Sequence, residues 1–179
     1  IKKVIAVRIR PKVNQGAERL YHIIRKVERV SFADMVQTDY AVKESISRYK
    51  LSEFVRHISY LSHDQVIRYE KQATALYLPI NNTPNSKGII TGKLFEYLAS
   101  GRPILAVAPP DGDMAAILGE SGAGWVSHFD DKEGLKGNIA VIFDRFLSGS
   151  LQSSSKNIEK YSRKGLTKEL VEVMNQLVS

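Results

Sequence analysis

The sequence predicts an α/β fold: a doubly wound parallel sheet of about six strands with helices on both faces. Three observations lead there. Short apolar or β-branched runs alternate with stretches whose apolar residues recur at helical spacing. The run Ala73 to Ile80 is almost unbroken in its apolar character, as expected of a strand covered on both faces of a parallel sheet. Glycine and proline punctuate the junctions, most plainly at Gly101 and Pro103 and at Gly122 and Gly124.

Val4 to Val7 reads as the first strand, and Pro11, Asn14 and Gly16 mark the loop after it. Ala17, Leu20, Tyr21, Ile24 and Val27 then share one face of a helix, with Glu18, Arg19, Arg25 and Lys26 on the other. Val30 to Val36 is a second strand, Val42, Ile46 and Tyr49 are one face of a helix, and Phe54 to Tyr60 is a third strand. Ser62-His63-Asp64-Gln65 has the form of a capping box, in which the serine and glutamine side chains each satisfy a backbone amide of the other. The helix it opens is expected to end near Gln72.

After the apolar strand, the polar connection Asn81 to Ile90 contains Pro84 and Gly88. It is long for a strand-to-helix loop, and long loops in such folds carry function. A helix runs from Gly92 to Gly101, Pro103 forbids its continuation, and Ile104 to Val107 follows as a strand. Asp113 is expected to cap a short helix through Leu118, Trp125 to Phe129 to form the last strand, and Asp130 to cap a helix with Leu135, Ile139, Ile142, Phe143 and Phe146 on one face. Ser148 to Ser155 is linker-like, and helical pieces around Ile158 to Arg163 and Thr167 to Val178 close the chain. Residues 1–150 thus form a Rossmann-like sheet domain with right-handed crossovers, and residues 151–179 form helices that pack on it or reach towards a further domain. In such sheets ligands bind beyond the C-terminal ends of the strands, near the point where strand order reverses. The loops after Ile80 and Val107 end on that edge.

At 179 residues and 43% hydrophobic composition, the chain can bury one sizeable core. Its apolar runs are far shorter than the roughly 20 residues of a membrane span, and no basic segment followed by an apolar one reads as a signal peptide. The absence of cysteine excludes disulfides and thiolate metal sites. The net charge of +7 suits an anionic partner, but Lys and Arg are spread along the chain rather than clustered, which argues against nucleic acid. His22, His57, His63 and His128 show no metal-ligand spacing, and no metal is expected. Asp111-Gly112-Asp113 reads as a turn that opens a helix rather than a cation loop.

The sharpest functional question lies in Thr91-Gly92-Lys93-Leu94-Phe95-Glu96, where one carboxylate sits among apolar residues in a helix. The amides of Thr91, Gly92 and Lys93 open the helix, and such a turn attracts anions through unpaired N–H groups and the helix dipole. Glu96 falls one turn further in, about 5 Å along the axis, a spacing that suits a diphosphate at the turn and a ribose beside the carboxylate. The alternative is that Glu96 complements the helix dipole and Gly92 is an ordinary turn residue. Asn81, Asn82 and Ser86 in the preceding loop are candidates for sugar hydroxyls, the alternative being ordinary loop polarity.

The segment Lys93-Leu94-Phe95-Glu96-Tyr97-Leu98-Ala99-Ser100-Gly101-Arg102-Pro103 resembles the donor-site signature K-x-x-E-Y-x-A-x-G-x-P of GT-B glycosyltransferases, above all family 4. Ile117 to Gly124 and Tyr161 to Lys164 are similar to later turns of that family, and the likeness runs from about Tyr60 to the C-terminus. It implies one half of a GT-B fold: the C-terminal, donor-binding domain of an enzyme that moves a sugar from a nucleotide diphosphate sugar, UDP-sugar favoured, to an acceptor glycan or lipid-linked acceptor. It implies that Glu96 binds the ribose, that Thr91, Gly92 and Lys93 hold the diphosphate, and that Tyr60 and Leu61 lie near the base. A basic residue after the first strand, from Arg8, Arg10 and Lys12, would assist the phosphates. It implies no cofactor beyond the donor, an N-terminal acceptor-binding domain as partner, and a cytoplasmic place at the inner face of the membrane. One departure stands out: Gly88 occupies the position, eight residues before Glu96, where the family commonly has a second glutamate. No catalytic residue is therefore assigned, and this half alone is expected not to turn over. The other readings are a nucleotide-sugar epimerase of the same architecture and a non-enzymatic phosphate- or nucleic-acid-binding module.

Overall fold

The computed structural model describes residues 4–8, 29–33, 40–52, 55–58, 61–152 and 155–178. The strands are β1 (Val4–Arg8), β2 (Arg29–Ala33), β3 (Val55–Ile58), β4 (Ala75–Pro79), β5 (Ile104–Val107) and β6 (Gly124–Ser127). The helices are α1 (Tyr40–Arg48), α2 (His63–Gln72), α3 (Gly92–Ser100), α4 (Asp113–Ser121), α5 (Lys132–Leu147) and α6 (Arg163–Val178), with short 3-10 turns at Ser86–Gly88 and Ile158–Tyr161. The helix expected over Ala17 to Val27 lies outside the described residues.

The strands are ordered β3-β2-β1-β4-β5-β6. A wholly parallel sheet was expected, and the structure corrects this. The continuous parallel run is the three strands β4, β5 and β6, and β2 with β3 is a separate parallel pair. β1 runs antiparallel to both β2 and β4. An apolar run such as Val4 to Val7 reads the same in either direction; only its connections set the direction, and the one after β1 lies outside the described residues.

Alternation along the strands divides the core. Leu76 and Leu78 of β4, Ile104 and Ala106 of β5 and Val126 of β6 meet Val66 of α2, Leu94, Tyr97 and Leu98 of α3, and Met114 and Leu118 of α4. Ala75, Tyr77, Leu105 and Trp125 point the other way, towards Leu135 and Ile142 of α5. The described helices therefore cover both faces. Leu76, Leu94, Ile104 and Leu118 are fully buried, and each such side chain contributes about 1.5–3 kcal/mol of transfer free energy. Arg145 of α5 lies over the Trp125 ring, 5.4 Å from its centre, so the guanidinium closes the edge of the second face.

Helix ends follow local chemistry. The Ser62 capping box is present in both directions: Ser62 Oγ accepts from the Gln65 amide, and Gln65 Oε1 from the Ser62 amide at 2.9 Å. α3 stops at Gly101, whose φ of 68° is the left-handed conformation that costs glycine nothing. Two expected caps shift by one residue. Gly112, not Asp113, is the N-cap of α4, and that helix runs past Leu118 to Ser121. Asp131, not Asp130, caps α5, its Oδ1 accepting from the Gly134 amide at 2.8 Å. In the second case, adjacent acids of the same type leave the sequence no means of choosing between them.

The C-terminal segment is tied to the domain at its root. Glu120 Oε2 accepts from the Tyr161 hydroxyl at 2.7 Å, Glu120 Oε1 accepts from Lys160 Nζ, and the Tyr161 ring stands 5.9 Å from that of Phe95. Beyond Gly165 the side chains of α6 are exposed through residue 177, including Leu166, Leu170, Val173, Met174 and, at 82% exposure, Leu177. The Lys160 hydrogen bond, then that of Tyr161, holds the Glu120 carboxyl below its usual range. A depressed carboxylate stabilises the fold above its unfolded-state pKa, and the contribution is lost as pH falls through the folded-state value. The protection of amides in residues 156–166, measured against their intrinsic exchange rates, is therefore expected to fall selectively on acidification, and Glu120→Gln to remove that pH dependence. An equal loss of protection in the variant would contradict this assignment.

Candidate functional site

Because β4, β5 and β6 are parallel, their following loops converge on one edge of the sheet: residues 80–91, 108–112 and 128–131. α3 follows the first of these loops and so opens on this edge of the sheet.

α3 opens unlike its neighbours. α2 has the Ser62 cap and Asp64, α4 has Asp113, α5 has the Asp131 cap and Glu133, and at the start of α6 Ser162 Oγ accepts from the Gly165 amide at 2.9 Å. α3 has neither a side-chain cap nor an acid in its first turn. The Gly92 amide finds no acceptor among the described residues, and a Cβ built on Gly92 would meet nothing within 4 Å. The turn thus couples an unsatisfied donor, the positive end of a helix dipole and open space. The Thr91 hydroxyl oxygen is enclosed by protein and has no hydrogen-bond partner among the described residues.

The other expected site residues fall in different places. The Lys93 ammonium nitrogen is enclosed by protein rather than extended into solvent, and Glu96 is half-buried one turn along α3; both interact with other groups of the protein. Asn81 and Asn82 are exposed on the loop after β4, whereas Ser86 is 8% exposed and opens the 3-10 turn, its carbonyl accepting from the Ile89 amide. The Leu61 side chain belongs to the main core, which leaves its backbone for any contact with a base. Tyr60, Arg10 and Lys12 lie outside the described residues.

Arg8 requires a correction. It was expected beside the phosphates, but the reversal of β1 carries it to the opposite edge. Val7 pairs with Ala75 at the start of β4, so Arg8 lies at the end of the sheet away from Gly92. The expectation presupposed a parallel β1.

One polar group was not singled out from the sequence. Lys87 of the 3-10 turn donates from Nζ to Asp111 Oδ2 at 2.6 Å, joining the loops after β4 and β5. This hydrogen bond holds Asp111 below the usual carboxylate range, with His128 adding a smaller attraction. No local spacing could have shown a pairing across 24 residues. Among the described residues no group of His, Asp and Glu could hold a metal ion, and no helix is long and apolar enough to cross a membrane. No family model matches the chain, and no curated protein matches its sequence.

Proposed function

We propose that this chain is the donor-binding half of a glycosyltransferase, a Rossmann-like half of a GT-B architecture that holds a nucleotide diphosphate sugar at the N-terminus of α3. The observation that carries the reading is the open turn at Gly92, a helix start with neither cap nor acid, on the edge where the loops after β4, β5 and β6 converge. Its motif, from Lys93 to Pro103, supports the same assignment. The diphosphate lies against the Thr91 and Gly92 amides with the Lys93 charge behind them, and the ribose hydroxyls donate to Glu96, which exchanges its protein partner for the ligand. Asn81 and Asn82 face the sugar.

Transfer requires that the diphosphate leave with its negative charge stabilised. Backbone donors fixed before the reaction do this without reorganisation, and such stabilisation is commonly the largest single contribution to rate. The acceptor and the acid–base groups belong to an N-terminal domain. The exposed apolar face of α6, from Leu166 to Leu177, is the surface of this half that docks there. The favoured donor is a UDP-sugar, and the place of action is the cytoplasmic face of a membrane.

Gly92→Ala tests the turn. The added methyl meets no protein atom, so the folded chain is not expected to lose stability. It would occupy the space in front of the amide, and loss of one charge-assisted hydrogen bond predicts about tenfold weaker UDP binding by calorimetry. Unchanged affinity would remove the diphosphate from this turn.

A further inference from the structure

The loop that leads into α3 is held by its neighbour as well as by its own hydrogen bonds. Gly112, buried at the start of α4, stands so close to the 3-10 turn that a Cβ on it would lie 2.8 Å from the Lys87 carbonyl oxygen and 3.1 Å from the Lys87 Cα. Both are backbone atoms, so no side-chain rotation relieves the collision. The Gly112 amide is itself fixed, donating to the Pro109 carbonyl at 3.1 Å. One residue before Gly112, Asp111 accepts from Lys87 Nζ, so the same turn is gripped through backbone and side chain together. Within the turn, the Gly88 amide donates to the Asn85 carbonyl and Ser86 is buried, while Ile89 packs on the main core. From Lys87 only Gly88, Ile89 and Ile90 separate this grip from Thr91.

We infer that Gly112 and the Lys87–Asp111 pair are positioning residues that hold the loop after β4 against the loop after β5, and so set the Thr91–Gly92 turn for a nucleoside diphosphate. The inference rests on the donor-site reading above. Side chains of Lys87 and Asp111 are 67% and 65% exposed, so the ion pair alone contributes modestly and the glycine contact is the stronger element. Pre-organisation of this kind raises affinity by sparing the ligand the cost of ordering the loop.

The test measures UDP affinity by calorimetry and amide exchange by mass spectrometry on the same chain. In Gly112→Ala, exchange in residues 86–93 is expected to rise while that of β5 and β6 is unchanged, and UDP affinity to fall about tenfold. Lys87→Met and Asp111→Asn should each lower affinity about two- to fivefold, within the range of an exposed pair. The exchanged pair, Lys87→Asp with Asp111→Lys, should restore most of it, and this keeps the question answerable if Gly112→Ala does not fold. Wild-type affinity in all these variants, or a loss that tracks unfolding of the whole sheet, overturns the positioning role and leaves the donor site standing. A wild-type chain that takes up no UDP overturns the donor site and this inference with it.

Discussion

Gly124→Ala is expected to cost this protein about 3–5 kcal/mol, the range of changes that break a specific core feature. Gly124 opens β6 opposite Ile104 of β5. A Cβ there would lie 1.9 Å from the Ile104 carbonyl oxygen and 2.7 Å from its carbonyl carbon, far inside van der Waals contact with backbone atoms that cannot rotate away. The sheet must separate at this point, which unseats Ile104 and Trp125 from the two cores. A glycine in a strand often marks such a close approach of backbones. Chemical denaturation should show a lower midpoint with an unchanged slope. A variant with wild-type stability would show that β5 and β6 are not paired in this register.

Glu96→Gln is expected to weaken binding of the preferred nucleoside diphosphate by about 1.5–3 kcal/mol, roughly ten- to a hundredfold, the size of hydrogen bonds to a charged group. Glutamine keeps the shape of the half-buried side chain but accepts through only one oxygen, so one of two ribose hydroxyls loses its partner. Isothermal titration against both the ribo- and 2′-deoxyribonucleotide checks the assignment. The wild-type chain should discriminate against the deoxy form, and the variant should discriminate less. Equal affinities for wild type and variant would return Glu96 to a structural role, consistent with its interaction within the protein.

What the sequence reveals follows from how local each determinant is. The helix from Gly92 to Gly101, the strand Ile104 to Val107 and the Ser62 capping box are encoded within a few residues and appear as expected. The direction of β1 is not local, and with it went the expected place of Arg8. The choice between Asp130 and Asp131 as cap depended on backbone geometry that composition does not record. At the site, the turn at Gly92 was legible because glycine and helix onset coincide. The core position of Leu61 and the Lys87–Asp111 contact arise from segments distant in the chain. Ser86 looked like any loop serine; its burial follows from the packing of the 3-10 turn against α4.

The central claim, that the N-terminus of α3 binds a nucleoside diphosphate, is tested most directly by thermal unfolding of the wild-type chain with UDP, GDP or ADP. A ligand specific for the folded state at a hundredfold excess over its Kd adds about 2.7 kcal/mol. For a chain of this size that raises Tm by about 5–11 °C. Such a rise is expected for one of the three nucleotides, UDP, and little for the others. No rise with any of them at millimolar concentration would contradict it.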